Sequence, residues 1–584
     1  MRPTFCLGIA ILVCATTLSP ASAAPKTKTK TKTKTTSPIV IVAHKGGKKF
    51  LTDIEAILKL TSPEQQKQWK VLKAQLDIFL RGVDPDQPLR MDIAIPEKGP
   101  IRFRPAIPVT NMKVFTKQNL KPSGVTTIRQ ARDRYKCVGN VYKGYMRHWK
   151  NKQGVNYAVF GETLRVIREA KFAGDPRLPI KGLLAAYDMA MTAENQKTDA
   201  KSIAARRSWV RKQAKELLAA VKKKDSETKD DFALRKLMLE LEFEEAERFY
   251  AETAHLQVGW NIDLANMTGR FDLDLTPIEG TDLAKAIDLL GAKPSHFASV
   301  PKSKDAILSL RIHHPLDDLR KKNALRFFTA LYDRQIGQIK VDTERTKAEK
   351  KATIKTADLV LDMMKANLKA GLFDVFAEVR PNKDKHTVLA GFATADGREM
   401  IEILKLLPST NKGVAVAIKI ARQGDVDIHK VTVKATKGGI FDFFVGGDTV
   451  YVGTSKEAVW FASGPQSLPE LTGAIKKKAN PPKFKADDPF LDVFVKVAPW
   501  LELMEVAAAD KGDPRLRKLA RDAFKSGNDG ITLQLRRKKN KVVGNMDIQT
   551  DVLRFVGAMT AKFSQETLDD SNPNRKKKLP GGIR

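Results

Sequence analysis

Between Leu256 and Gly291 the chain alternates apolar and polar residues twice and then changes period, which restricts that stretch to a β-hairpin followed by a short helix. Leu256, Val258, Trp260, Ile262 and Leu264 alternate with Gln257, Gly259, Asn261 and Asp263, the period-two signature of a strand with one wet face. Ala265-Asn266-Met267-Thr268-Gly269 supplies turn residues that tolerate positive φ, and Phe271, Leu273 and Leu275 alternate with Asp272 and Asp274 on the way back. Thr281 is placed to cap a helix carrying Leu283, Ile287 and Leu290 on one stripe, and Gly291 stands where a left-handed C-terminal cap belongs. The expected unit is a helix folded back on the apolar face of a hairpin.

The same grammar begins near Leu89, Leu372 and Ile531, so the search for internal repeats governs the fold assignment. Starts one and three lie 283 residues apart (372 minus 89), and starts two and four lie 275 apart (531 minus 256). Each hairpin is preceded by a strand and a helical stretch, with opening strands expected at residues 39–43, 183–191, 306–312 and 490–497. The helical stretches fall at residues 50–80, at 202–224 with 232–254, and at 316–368, the last expected to be nearly continuous. Copies one and three also carry an annex hairpin. It is expected at residues 135–146 with 156–160 in the first, and around 431–433, 441–445 and 450–452 in the third, where Thr454-x-x-Glu457 would open a helix through Trp460. The expected fold class is α+β, internally duplicated, with four β-α-β-β-α units, antiparallel hairpins and long amphipathic helices. Two halves follow, residues 38–291 and 303–565.

Residues 1–23 read as a cleaved secretory signal: Arg2, an apolar run from Phe5 to Val13, and Ala21-Ser22-Ala23 as the cleavage site. A lipoprotein reading at Cys14 is disfavoured by bulky Val13, and the apolar run is far shorter than the roughly 20 residues of a bilayer span. Export to the periplasm, the envelope or the exterior is therefore expected. Residues 24–37 are a Lys/Thr low-complexity linker and 566–584 a basic tail, both expected to be disordered. Removing the signal leaves Cys137 alone, which excludes an internal disulfide and reads as a small apolar residue in a strand.

The formal charge of +36, or +35 once Arg2 is removed, sets up a field that favours anionic partners. Acidic polysaccharide, lipopolysaccharide and an anionic membrane surface are the expected classes. Nucleic acid is less favoured, given export and no evident interleaving of aromatic and basic residues. The best handles by charge alone are Lys476, Lys477 and Lys478, and Arg536, Arg537, Lys538 and Lys539 at an expected hairpin tip. Solvated surface is the competing account of both clusters.

The run Gly82-Val83-Asp84-Pro85 before Pro88-Leu89, the Ala106-Ile107-Pro108-Val109 strand end before a helix with Phe115, and Thr449-Val450-Tyr451-Val452-Gly453-Thr454-Ser455 together resemble uncharacterised exported proteins of planctomycete-type bacteria. The resemblance covers most of the mature chain. It implies export and hairpin-helix repeats, and transfers no catalytic residue.

No catalytic, metal or cofactor motif emerges. His313-His314 point to opposite faces if extended and lack a third ligand at a telling spacing. Asp272-x-Asp274 shares one strand face, as a solvent face would, and Asp425, Asp427 and His429 read as a charged edge. Gly438-Gly439 and Gly446-Gly447 lack the Lys-Ser/Thr ending of a phosphate loop. The functional expectation is a non-enzymatic envelope or periplasmic protein that binds or scaffolds a macromolecule. The alternative is a hydrolase of an envelope polymer with a site assembled from distant residues.

Overall fold

Among the described residues, twenty strands pair into one antiparallel sheet. The structure is a computed structural model that describes residues 39–94, 102–140, 142–168, 174–195, 197–371, 373–383, 385–434, 445–478, 487–501 and 514–571. The expected signal, the Lys/Thr linker, the Gly438-Gly439 turn, the 441–444 strand and residues 572–584 lie outside them.

One arm of the sheet runs β4 (Val125–Ala131), β5 (Arg134–Gly139), β6 (Gly144–Lys150), β7 (Asn156–Gly161), β3 (Arg102–Val109), β2 (Leu89–Ala94), β1 (Ile39–His44), β8 (Met189–Glu194), β9 (Thr253–Asp263) and β10 (Thr268–Pro277). The other runs outward from β20 (Lys541–Ile548) through β19 (Gly530–Lys538), β18 (Leu491–Lys496), β11 (Leu308–His313), β12 (Asp374–Asn382), β13 (Lys385–Ala393), β17 (Ala458–Ser463), β16 (Thr449–Thr454) and β15 (Val426–Val433) to β14 (Val414–Gln423). β10 joins β20, with Asp272 opposite Asn545. Counted outward from that junction, strands of equal rank differ by ten in number, and each arm ends in a four-stranded annex.

The hairpins form where alternation places them. In β9 and β10, Leu256 faces Leu275, Val258 faces Leu273 and Trp260 faces Phe271, the last two rings 4.0 Å apart. The turn residue Met267 has φ +51°, Thr281 accepts from the Ala284 N–H at 3.3 Å to cap α8 (Asp282–Leu289), and Gly291 has φ +67°.

Helices cluster in two groups. In chain order α1 (Gly47–Lys59) and α2 (Pro63–Phe79) precede β2; α3 (Met112–Phe115), prolonged by a π turn at Thr116–Leu120, follows β3; α4 (Leu164–Arg168) and α5 (Lys181–Ala186) precede β8. Then come α6 (Ala200–Ala220), α7 (Lys229–Glu252), α8, α9 (Asp318–Val341), α10 (Lys347–Ala370), α11 (Met400–Thr410), α12 (Ser467–Lys478), α13 (Pro514–Ala523) and α14 (Thr550–Ser571). α14 packs on α1, α2 and α13; α7 packs on α6 and α9, and α10 on α9 and α11. Facing charges join the second group: Arg326 reaches Glu244 at 2.5 Å and Arg334 reaches Asp231 at 2.5 Å. Among the described residues no helix is long and apolar enough to cross a membrane.

Several expectations are corrected. Residues 183–186 are helical and the opening strand starts at Met189, because Leu183-Leu184-Ala185-Ala186 has no β-branched residue to favour a strand. The expected continuous helix at 316–368 breaks at 342–346, where Asp342 accepts from the Glu344 N–H at 2.8 Å and Thr346 opens α10 with a capping box to Glu349. The helix expected through Trp460 is strand β17. Ser455 Oγ and N close a tight turn with Ala458 at 3.2 and 3.0 Å, and the following Val459-Trp460-Phe461 is covered on both faces. The first annex is four strands rather than one hairpin, since β4 adds outside β5, and the expected arm is two strands, β5 ending at Gly139 and β6 starting at Gly144. Finally, α14 runs through Ser571, past the expected boundary at 565, with no Gly or Pro to stop it before Pro573.

Candidate polyanion interface

The two lysine-rich clusters sit apart, separated in the sheet by β18, β11 and β12. Lys476, Lys477 and Lys478 form the last turn of α12, where the helix dipole favours cations; Leu471, Ala474 and Ile475 bury the inner face, and Lys478 lies 3.4 Å from Glu457. At the β19–β20 tip Lys538 and Lys539 are exposed, the latter with φ +58°. Arg537 has a structural task, donating to the carbonyls of Asp288 at 2.6 Å and Leu290 at 3.4 Å and so capping the end of α8. Arg536 donates to Asn545 and Gln534.

The other sequence candidates are tied into the scaffold. Among the described residues no group of three or more His, Cys, Asp or Glu is arranged to hold a metal. His313 stands 3.4 Å from Asp374, whose carboxylate already accepts from Ser295 Oγ at 2.7 Å and the His296 N–H at 2.6 Å. His314 instead meets Arg320 at 3.2 Å. Asp272 pairs with Arg270 at 2.9 Å, and Asp274 with Lys541. His429 is fully buried; its Nδ1 accepts from the Lys419 N–H at 3.1 Å, its Nε2 meets Thr454 Oγ1 at 2.9 Å, and burial lowers its pKa. Cys137 is buried, as expected of a packing residue, and burial pushes its thiol up to about 11.

One acidic pair has its members driven apart. Burial raises Asp53. On Asp188 burial acts the same way but is outweighed by the Ile262 N–H at 3.1 Å and by Lys45 and Lys49, each at 2.9 Å, so its carboxyl is held low. Lys49 also pairs with Asp53. Both carboxyls are more than nine-tenths buried, and neither lines the cleft of about 480 Å³ between α6 and α7.

What the sequence reading missed is the first annex. Residues 125–161 hold eight Lys or Arg against one acid, Asp133, whereas the annex of the other arm, residues 414–463, holds six against five. Pairing brings the cations together with aromatic rings. Ile128 on β4 faces Lys136 on β5, Lys136 faces Tyr145 on β6, and in the next row Arg134 faces Arg147. Strand spacing of about 4.8 Å makes these side chains immediate neighbours on one face, with Trp149 one further row along β6.

Like charges directly opposite repel, and here a single carboxylate moderates the repulsion: Asp133 accepts from Arg147 at 3.1 Å and Arg134 at 3.3 Å. Burial acts to raise Asp133, but Arg147 and Arg134 outweigh it and hold the carboxyl below its usual range. Lys136, Lys143, Lys150 and Lys152 make no ion pair among the described residues, so most of the charge is available to a partner.

The opposite face of the annex is core, with Cys137, Met146, Ala158 and Phe160 packed on Phe115 and Leu120. On the basic face α4 packs on β7 and β6: a Cβ on Gly161 would stand 2.8 Å from both Val166 and Ile167. Tyr157 is fully buried there, touching Trp149 edge-on at 6.0 Å. In the other arm α12 lies over the corresponding face and buries Ile428 and Trp460 under Leu471, Ala474 and Ile475. Signals for this site were present in Tyr142-Lys143-Gly144-Tyr145-Met146-Arg147-His148-Trp149-Lys150, which does interleave aromatic and basic residues. Compared with known proteins, the chain matches no family model, no curated protein and no solved structure.

Proposed function

We propose that this chain is an exported, non-enzymatic protein of the envelope or periplasm that binds an anionic macromolecular partner on the β4–β6 face. The observation that carries the reading is the concentration of cations on one annex: eight Lys or Arg to one acid on β4–β7, against six to five on β14–β17. Guanidinium pairs such as Arg134 and Arg147 suit carboxylate, sulfate or phosphate oxygens, and their mutual repulsion is relieved by a second anion. The rest of the chain is then a scaffold of four β-α-β-β-α units in two duplicated halves. Supporting this are the equal ranks of strands ten apart and the four opening strands β1, β8, β11 and β18, each paired with the first strand of its own hairpin.

The hydrolase alternative would centre on Asp53 and Asp188, whose pKa values are pushed in opposite directions. Their burial beneath Lys45 and Lys49 favours a structural ion cluster instead.

The test is retention of the purified chain on immobilised heparin across a salt gradient. Strong retention at low salt, falling steeply as salt rises, supports an anionic partner. Absence of retention at low salt rejects it.

A further inference from the structure

The β4–β6 face carries, besides its cations, two aliphatic side chains that a soluble polyanion has no use for. Ile128 is 48% exposed and Val138 is 39% exposed, and both lie on the face that holds Lys136, Arg134, Arg147 and Tyr145. Val138 faces Thr126 and Ile128 faces Lys136, so the two aliphatics are diagonal neighbours at the last two strands of the sheet.

The other end of the sheet supplies an internal control. Lys430 on β15 faces Tyr451 on β16, reproducing the Lys136–Tyr145 pair, but the neighbours on β14 and β15 are small or polar: Ala417 faces Lys430 and Ala415 faces Thr432. On the face that α12 shields, no exposed aliphatic pair accompanies the lysine, Val433 lying on the opposite face and Ile420 in the β14 bulge; on β4 and β5, Ile128 and Val138 stand beside it.

We infer that the anionic partner of this face is the headgroup layer of a lipid bilayer, an inference that rests on the reading of the face as an anion-binding surface. Cations attract the negative leaflet surface, the ring of Tyr145 suits the boundary between headgroup and acyl chain, and Ile128 and Val138 enter the apolar side of that boundary. These groups share one face of the sheet, so attachment is to one leaflet. The edge strand β4 itself is unsuited to adding another strand, because its pairing is bulged between Arg129 and Ala131 and its end is cationic.

The experiment is co-sedimentation of the full chain with vesicles of phosphatidylcholine alone and of equal parts phosphatidylcholine and phosphatidylglycerol, beside heparin retention of the same preparations. The wild type is expected to sediment with the anionic vesicles at low salt and not with the neutral ones. The Ile128→Ser/Val138→Ser variant alters only exposed side chains and is expected to lose about tenfold in vesicle affinity while keeping its heparin elution. Lys136→Glu is expected to weaken both. Equal vesicle binding by wild type and the serine variant overturns the lipid assignment. So does heparin retention without vesicle binding, which leaves the anionic face standing with a soluble polyanion, glycan or nucleic acid, as its partner. Failure of the wild type in both assays removes the anion-binding reading itself.

Discussion

Arg248, near the end of α7, donates to the carboxylate of Asp317 at 2.9 Å, and Asp317 is also the N-cap of α9, accepting from the Arg320 N–H at 3.1 Å. One buried carboxylate thus starts a helix in one arm of the sheet and anchors it to a helix from the other. Burial acts to raise Asp317, and Arg248 and Arg320 outweigh it.

Arg248→Ala is expected to destabilise the chain by about 1–3 kcal/mol, because Asp317 and Glu245 lose one of the two cations they share, while Arg320 stays 3.2 Å from the first and 3.3 Å from the second. Asp317→Asn keeps a good N-cap and should cost less. The midpoint of urea unfolding measures both, and equal effects would show that an Asp317 charge without Arg248 costs nothing beyond the lost pair.

Stability is expected to fall on acidification from pH 6.5 toward pH 4. Burial, with Arg320 adding to it, lowers His314 from 6.5 to about 4, so within that window the unfolded chain binds the extra proton and the folded one does not. The pH-dependent loss from this group alone is on the order of 2–3 kcal/mol. His44, His296 and His429, all lowered by burial, act with the same sign. Thermal unfolding scanned against pH should show a shallower slope for His314→Gln; an unchanged slope would mean that His314 is not the group responsible.

Gly82 and Gly124 share a φ of +78° and differ in their surroundings. A Cβ at Gly82 would stand 2.5 Å from the Phe115 N, whereas nothing lies within 4 Å of one at Gly124. Gly124→Ala should cost about 1 kcal/mol, the backbone penalty alone, and Gly82→Ala at least about 2 kcal/mol more because α3 must shift. Comparing the two unfolding midpoints separates conformational cost from steric cost.

The hairpins β9–β10, β12–β13 and β19–β20 were legible because apolar residues recur at every second position along both arms, with turn residues between them, although in β12–β13 the intervening Asp374, Phe376 and Glu378 are buried as well. β17 was not, since Val459 and Trp460 are buried on opposite sides, Phe461 is partly buried, and the run carries no alternation to read. Alternation also names a face without naming a neighbour, and the β10–β20 junction could not be inferred from either strand. The same limit hid the basic face. Lys476–Lys478 and Arg536–Lys539 are contiguous and visible by charge, but Lys136, Tyr145 and Arg147 meet only once β5 and β6 pair. Contiguity was also misleading at Arg537, which is committed to the end of α8.

The most direct test of the account sets these two kinds of cluster against each other, by measuring the salt concentration at which variants leave immobilised heparin. Lys136→Glu with Arg147→Gln, on the annex face, is expected to elute at clearly lower salt than the wild type, and Lys476→Glu with Lys477→Glu, on α12, close to it. The opposite order, or equal losses for both pairs, would contradict a binding surface on β4–β6.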